Sequence, residues 1–303
     1  MCAAHQLHIL RSARFAVLVC GTANHAAFTH AHTHTPATTV KLIAPSHLPD
    51  PADTQSLGLR DELLMAGPDD PTSLVVLLAP HRPRGAGSWV PMVEMLTRQF
   101  PQTRFLMPTA APRKHDHNPT PRWYKPDYDS ARVLTQHRGD AQNAAGTMSR
   151  ETGRGMAFGP WFREATPSIE AVTALLDQQF RDNEHLSPRV SALVGFLQGG
   201  GVGLWAAMRR PACEPLAGVL CLSAFLPVPS GKFSIPTIAG QTTPVRIIAG
   251  TSDLVHPRFA AATQQHLSKE GVTADLKVHA KTERTLNSEQ RLDMCKFLET
   301  IPK

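Results

Sequence analysis

Residues 190–210 read V-S-A-L-V-G-F-L-Q-G-G-G-V-G-L-W-A-A-M-R-R, and this stretch constrains the fold more than any other. Val190 to Val194 form a short, β-prone apolar run. Gly195, Gly199 and Gly200 pinch the chain into a tight turn, and Val202 to Arg210 reads as a helix. A strand that turns at glycines directly into a helix is the opening of a β-α unit. Repeated β-α units imply a parallel sheet covered on both faces.

The rest of the chain keeps that rhythm. Leu74–Leu78 is a continuous β-branched and leucine run, as in a strand buried on both faces. Further strands are expected at Arg104–Met107, Gly218–Leu222, Val245–Ala249 and Leu276–His279. Helical spacing appears at Trp89–Phe100, Ser168–Arg181, Arg258–Lys269 and Glu289–Thr300, with Ser168 read as an N-cap after Pro167. These elements predict an α/β domain over residues 61–303. Residues 1–60 are expected to be an N-terminal extension, mostly disordered or targeting, and about 113–159 an insertion or lid rich in proline, glycine and polar residues.

Charge and composition narrow the function. No Asp or Glu precedes Asp50, so half of the net charge of +6 lies in the first 49 residues. An acid-free, arginine-bearing N-terminus suits either a solvated extension of a cytoplasmic protein or an organelle transit segment such as a mitochondrial one. The remainder is only mildly basic and lacks a basic–aromatic stripe, which argues against a nucleic-acid partner. No apolar window has the length of a transmembrane segment. The five cysteines are scattered without a C-x-x-C pair, which argues against disulfides and a zinc site. His30, His32 and His34 have no cysteine or carboxylate beside them, so no metal and no cofactor are expected.

Several segments together resemble the acyl-protein thioesterases and their relatives, the small carboxylesterases and lysophospholipases of the α/β-hydrolase superfamily. Val194-Gly195-Phe196-Leu197-Gln198-Gly199-Gly200 is similar to that family's G-G-F-S-Q-G-G. Pro215–Val219 and Leu222–Pro227 are similar to its P-L-A-G-I and L-S-x-W-L-P. Gly250–Pro257 is similar to G-x-x-D-x-x-V-P, and Asp293–Leu298 to its last helix. The resemblance implies an α/β-hydrolase fold and a Ser-Asp-His triad that cleaves esters or thioesters of fatty acids.

The same resemblance exposes losses. Leu197 occupies the nucleophile position, and a hydrocarbon side chain forms no acyl-enzyme. Arg284 falls on the base position, and a permanently protonated guanidinium takes no proton. Asp253 retains the acid position, and the backbone N–H of Gln198 retains one oxyanion donor. The family's H-G-x-G-D loop is replaced by Ala79-Pro80-His81-Arg82-Pro83-Arg84-Gly85, where the prolines donate no N–H.

Phe225 and Leu226 replace the aromatic–leucine pair of the acyl groove. Trp161-Phe162 or Trp123-Tyr124 corresponds to a W-F element, with spacing favouring Trp161. The expected occupant is an acyl chain or acylated peptide, or else a protein partner. A hydrolase with a relocated site is the alternative. Ser223 and Cys221 are then the nearest nucleophiles, and His256 and His279 the substitute bases. For Cys221 and the two histidines the structural reading is that they serve packing, and by the resemblance Ser223 matches a family serine that is not the nucleophile.

Overall fold

The computed structural model describes residues 41–43, 59–80, 85–110, 122–124, 159–210, 214–224, 226, 238–252, 256–280 and 286–302. They belong to the second of two units, Thr38–Lys303, the first being Met1–Ala37. Eight strands form one sheet: β1 (Lys41–Ile43), β2 (Leu59–Ala66), β3 (Ser73–Leu78), β4 (Thr103–Ala110), β5 (Ser191–Phe196), β6 (Gly218–Leu222), β7 (Val245–Gly250) and β8 (Ala274–His279). Their order across the sheet is β1-β2-β4-β3-β5-β6-β7-β8. β2 runs antiparallel to both neighbours, and every other pairing is parallel. The architecture is that of the α/β-hydrolase fold.

The period of two along each strand sorts side chains into two layers. From β3, Leu74, Val76 and Leu78 enter one core, shared with Ile169, Val172, Leu204, Ala260 and Leu267. Val75 and Leu77 enter the other, shared with Trp89, Val93, Leu96, Met294 and Phe297. Three helices, α2 (Gly159–Asp182), α3 (Gln198–Met208) and α5 (His256–Lys269), thus cover one face. Two helices, α1 (Val90–Gln99) and α6 (Ser288–Leu298), cover the other. A short helix, α4 (Ile238–Thr242), precedes β7. Every residue of α3 is buried, which is why Val202–Met208 is apolar all round instead of amphipathic.

The sheet and one helix both begin earlier in the chain than the sequence pattern indicates. The sheet reaches back into the segment assigned to the N-terminal extension, because β1 and the start of β2 precede residue 61. β1 is three residues long, and β2 carries Arg60, Asp61 and Glu62, so neither shows a readable apolar pattern. The helix expected from Ser168 begins at Gly159 and carries Pro167 inside it. Ser168 is not a cap; its Oγ donates to the carbonyl of Trp123 at 2.6 Å. Of the insertion, 122–124 is described and the bulk lies outside the described residues, as do the histidines of the N-terminal cluster. Among the described residues, no helix is long and apolar enough to cross a membrane.

Because β3 to β8 run parallel, Leu78, Phe196, Leu222, Gly250 and His279 all end at one edge of the sheet. Open α/β sheets place their sites outside the carboxyl ends of the strands.

Candidate active site at the carboxyl edge

Leu197 joins β5 to α3 with φ 52° and ψ −118°, a conformation that L residues rarely adopt. Such backbone costs about 1–3 kcal/mol and persists only when its surroundings impose it. The glycines around it do so. A Cβ at Gly195 would overlap the backbone of Gly200, and one at Gly199 would stand 2.7 Å from the Ala79 carbonyl oxygen and nearer still to that of Leu78. The turn is further fixed by Leu197 N–H donating to Leu222 O at 3.0 Å. Gly200 and Gly201 N–H both donate to Leu197 O, at 3.1 and 3.3 Å. This is the geometry of a nucleophile elbow, a sharp and strained strand-to-helix turn. The half-buried Leu197 side chain packs against the core on the α1 and α6 face.

Gln198 opens α3, so its N–H belongs to the first turn, whose donors have no intrahelical acceptor. Its buried side chain does a separate job: Nε2 donates to the Tyr124 carbonyl at 3.0 Å. Trp123 Nε1 donates to Ala79 O at 2.7 Å, in the loop that follows β3. With Ser168 Oγ on Trp123 O, the Trp123-Tyr124 pair bridges the β3 loop, the elbow and α2. Both rings are fully buried, and burial raises the Tyr124 hydroxyl above its usual range. The contacts therefore join Trp123-Tyr124 to the elbow. Trp161 stands in the first turn of α2, and its side chain lies outside the described residues.

Ser223 directly follows β6, the next strand over, also with positive φ, at 46°. Its N–H donates to Ile248 O at 2.7 Å, while its fully buried Oγ has no hydrogen-bond partner among the described residues. Cys221, inside β6, is a packing residue: Sγ contacts Gly200 O at 3.6 Å, and burial pushes the thiol up to about 12. Leu226 is buried, and its N–H donates to Thr263 Oγ1 of α5 at 2.9 Å. Asp253, Arg284 and Phe225 lie outside the described residues, as does the side chain of His256.

His279 ends β8 at the same edge, yet both ring nitrogens are taken. Nδ1 lies 2.9 Å from Glu289 Oε2 and Nε2 lies 2.7 Å from Asp293 Oδ2. Asp293 Oδ1 also accepts from Lys277 Nζ at 2.7 Å. An imidazole held between two carboxylates of α6 has no ring nitrogen to turn toward a substrate hydroxyl, so the geometry supports the structural reading of His279. Burial works against ionisation of Asp293, but hydrogen bonds from Lys277 and His279 outweigh it and hold the carboxyl below its ordinary range. This network went unread in the sequence, although its spacing carried a signal. Lys277 and His279 are two apart on a strand, Glu289 and Asp293 four apart on a helix, and each pair shares a face.

Residues 163–301 match the phospholipase/carboxylesterase family. Among solved structures, esterase PE8 is similar at 20% identity, over 81% of this chain and 100% of that one, with a TM-score of 0.58. SOBER1 of Arabidopsis thaliana is similar at 16% identity over 76% and 99% of the two chains, with a TM-score of 0.54. Acyl-protein thioesterase 2 of Zea mays is similar at 16% identity over 79% and 99%, with a TM-score of 0.52. No curated protein sequence matches the chain. At these identities the structural likenesses speak for the fold, an α/β-hydrolase one, and residues 163–301 are the part of the chain that is similar to the phospholipase/carboxylesterase family.

Proposed function

We propose that this chain keeps the binding architecture of a carboxylesterase or thioesterase but has lost the nucleophile and base, and that it holds an acyl chain or acylated peptide, or a protein partner, without cleaving it. One observation carries the reading: the residue in the elbow conformation, at φ 52° between β5 and α3, is Leu197. In α/β-hydrolases a turn of this kind carries the nucleophile that attacks a carbonyl, and a leucine has nothing to attack with. Arg284 at the base position and the proline-bearing loop after Ala79 are consistent with the same loss. Asp253 then serves as a charge partner, not as the third member of a triad.

One feature favours a second reading, an ester or thioester hydrolase with a relocated site. Ser223 has a strained backbone and an unpartnered buried hydroxyl one strand from the elbow.

A fluorophosphonate probe and an octanoyl ester assay on the full chain separate the two. The first reading expects neither labelling nor turnover. Labelling mapped to Ser223 by mass spectrometry would establish the second. The double variant Leu197→Ser/Arg284→His tests the positions directly. Probe labelling at residue 197 is expected, and a folded but inert double variant would mean that the oxyanion loop or the assigned base position is at fault.

A further inference from the structure

β8 is the last strand of the sheet, and among the described residues no strand pairs with its outer edge. On the inner side, Val245 N–H donates to Thr273 O and Thr251 N–H donates to His279 O. Odd-numbered residues therefore face β7, and Ala274, Leu276 and Val278 present their N–H and C=O groups to the open edge. The Ala274 carbonyl already accepts from Gln264 Nε2 at 3.4 Å and keeps one lone pair for a partner strand. An open edge is a template for another strand unless charges or bulges block it.

We propose that this edge pairs with the β8 edge of a second copy of the chain, antiparallel about a two-fold axis beside Leu276, making a continuous sixteen-stranded sheet from two eight-stranded ones. The sequence A-D-L-K-V-H is self-complementary in that register. Leu276 lies opposite its own copy, Asp275 opposite the partner's Lys277, and Ala274 opposite the partner's Val278. The faces also agree. Asp275 and Lys277 share the α6 face, whereas Ala274 and Leu276 share the face that packs on the α2, α3 and α5 core.

The charges already present extend into the joint. Arg246 Nε lies 3.5 Å from Asp275 Oδ2, and Lys277 Nζ lies 2.7 Å from Asp293 Oδ1. Pairing interleaves these couples into a row, Arg246–Asp275–Lys277–Asp293, that alternates in sign across the axis. The same charges reject other registers. A slip of two residues places either Asp275 on Asp275 or Lys277 on Lys277, and like charges directly opposite are destabilising. Burial points the same way. Of the three large apolar side chains exposed among the described residues, one lies on the edge strand itself: Val278, 45% exposed. Pairing covers Val278 with Ala274. A joint of six residues a side is small, so the dimer is expected to be concentration-dependent.

Sedimentation and light scattering of the full chain should show a monomer–dimer equilibrium that weakens with salt. Asp275→Lys, an exposed substitution, should raise the dissociation constant about tenfold by replacing two attractive pairs with repulsive ones. Leu276→Cys tests the register. Hydrogen-bonded opposite residues lie about 5.5 Å apart at Cα, within disulfide reach. This variant should form a disulfide-linked dimer on a non-reducing gel, above the background of the parent's five cysteines. Val278→Cys alone should not, but Ala274→Cys/Val278→Cys should. A monomer at every concentration would overturn the proposal. So would a dimer indifferent to Asp275→Lys and lacking the Leu276→Cys crosslink, because its interface would lie elsewhere.

Discussion

Nε2 of His279 lies 2.7 Å from Oδ2 of Asp293, joining the end of β8 to the middle of α6. The contact fixes the last helix to the last strand just before the segment that carries Arg284. It also engages the one described histidine at the site edge in a structural bond.

Asp293 makes the stability of this corner depend on acid. Its folded carboxyl titrates below the ordinary aspartate range, so the native state releases that proton more readily than the unfolded chain. The contribution is complete above the unfolded value of about 4 and fades as pH falls through the lower folded value. Asp293→Asn should cost roughly 1–3 kcal/mol at neutral pH and flatten the acid limb of the stability curve. Urea unfolding between about pH 3 and 7 would show both effects. An unchanged acid limb would assign that dependence to other groups.

The elbow should tolerate no side chain at Gly199. A methyl group there meets the carbonyl oxygens of Leu78 and Ala79, which are backbone and cannot swing aside. Gly199→Ala is expected to lose about 3 kcal/mol or more, or to fail to fold. Gly87 has nothing within 4 Å of its would-be Cβ, so Gly87→Ala should change stability by less than about 1 kcal/mol. Thermal unfolding of the two variants side by side checks the contrast.

Trp123 acts as a tie between separate elements, through Nε1 to Ala79 and through its carbonyl from Ser168. Trp123→Phe should cost about 1–3 kcal/mol, because it leaves a buried carbonyl without its donor. Ser168→Ala should cost about 0.5–1.5 kcal/mol. Since both changes act on one residue's position, the double variant should depart from additivity by at least about 0.5 kcal/mol. Additive losses in denaturant titrations would mean that the two bonds act independently.

Cys221 should be silent in the native protein. Its thiol is buried and pushed up to about 12, so little thiolate exists near neutral pH. Iodoacetamide followed by peptide mass spectrometry should modify Cys221 only after denaturation. Native labelling would reopen β6 as a source of nucleophiles.

Much of the sheet was legible locally. Leu74–Leu78, Gly218–Leu222 and Val245–Ala249 are apolar runs because parallel strands are buried on both faces, and no partner need be known to read them. The elbow was legible for a related reason: Gly195, Gly199 and Gly200 are required by their own turn and by the strands touching it. β1 and β2 were not legible. A three-residue strand and one beginning L-R-D-E owe their conformation to the neighbours that accept their hydrogen bonds.

The site divides along the same line. The amino-acid sequence by itself determined which atoms stand at the elbow: the hydrocarbon side chain of Leu197, whatever surrounds it. Tertiary structure alone decided that Trp123-Tyr124 braces the elbow, that Ser168 reaches a carbonyl 45 residues away in the chain, and that His279 is gripped by Glu289 and Asp293. Chemical identity belongs to each residue, whereas a hydrogen bond depends on two groups that only the folded chain brings within reach of each other.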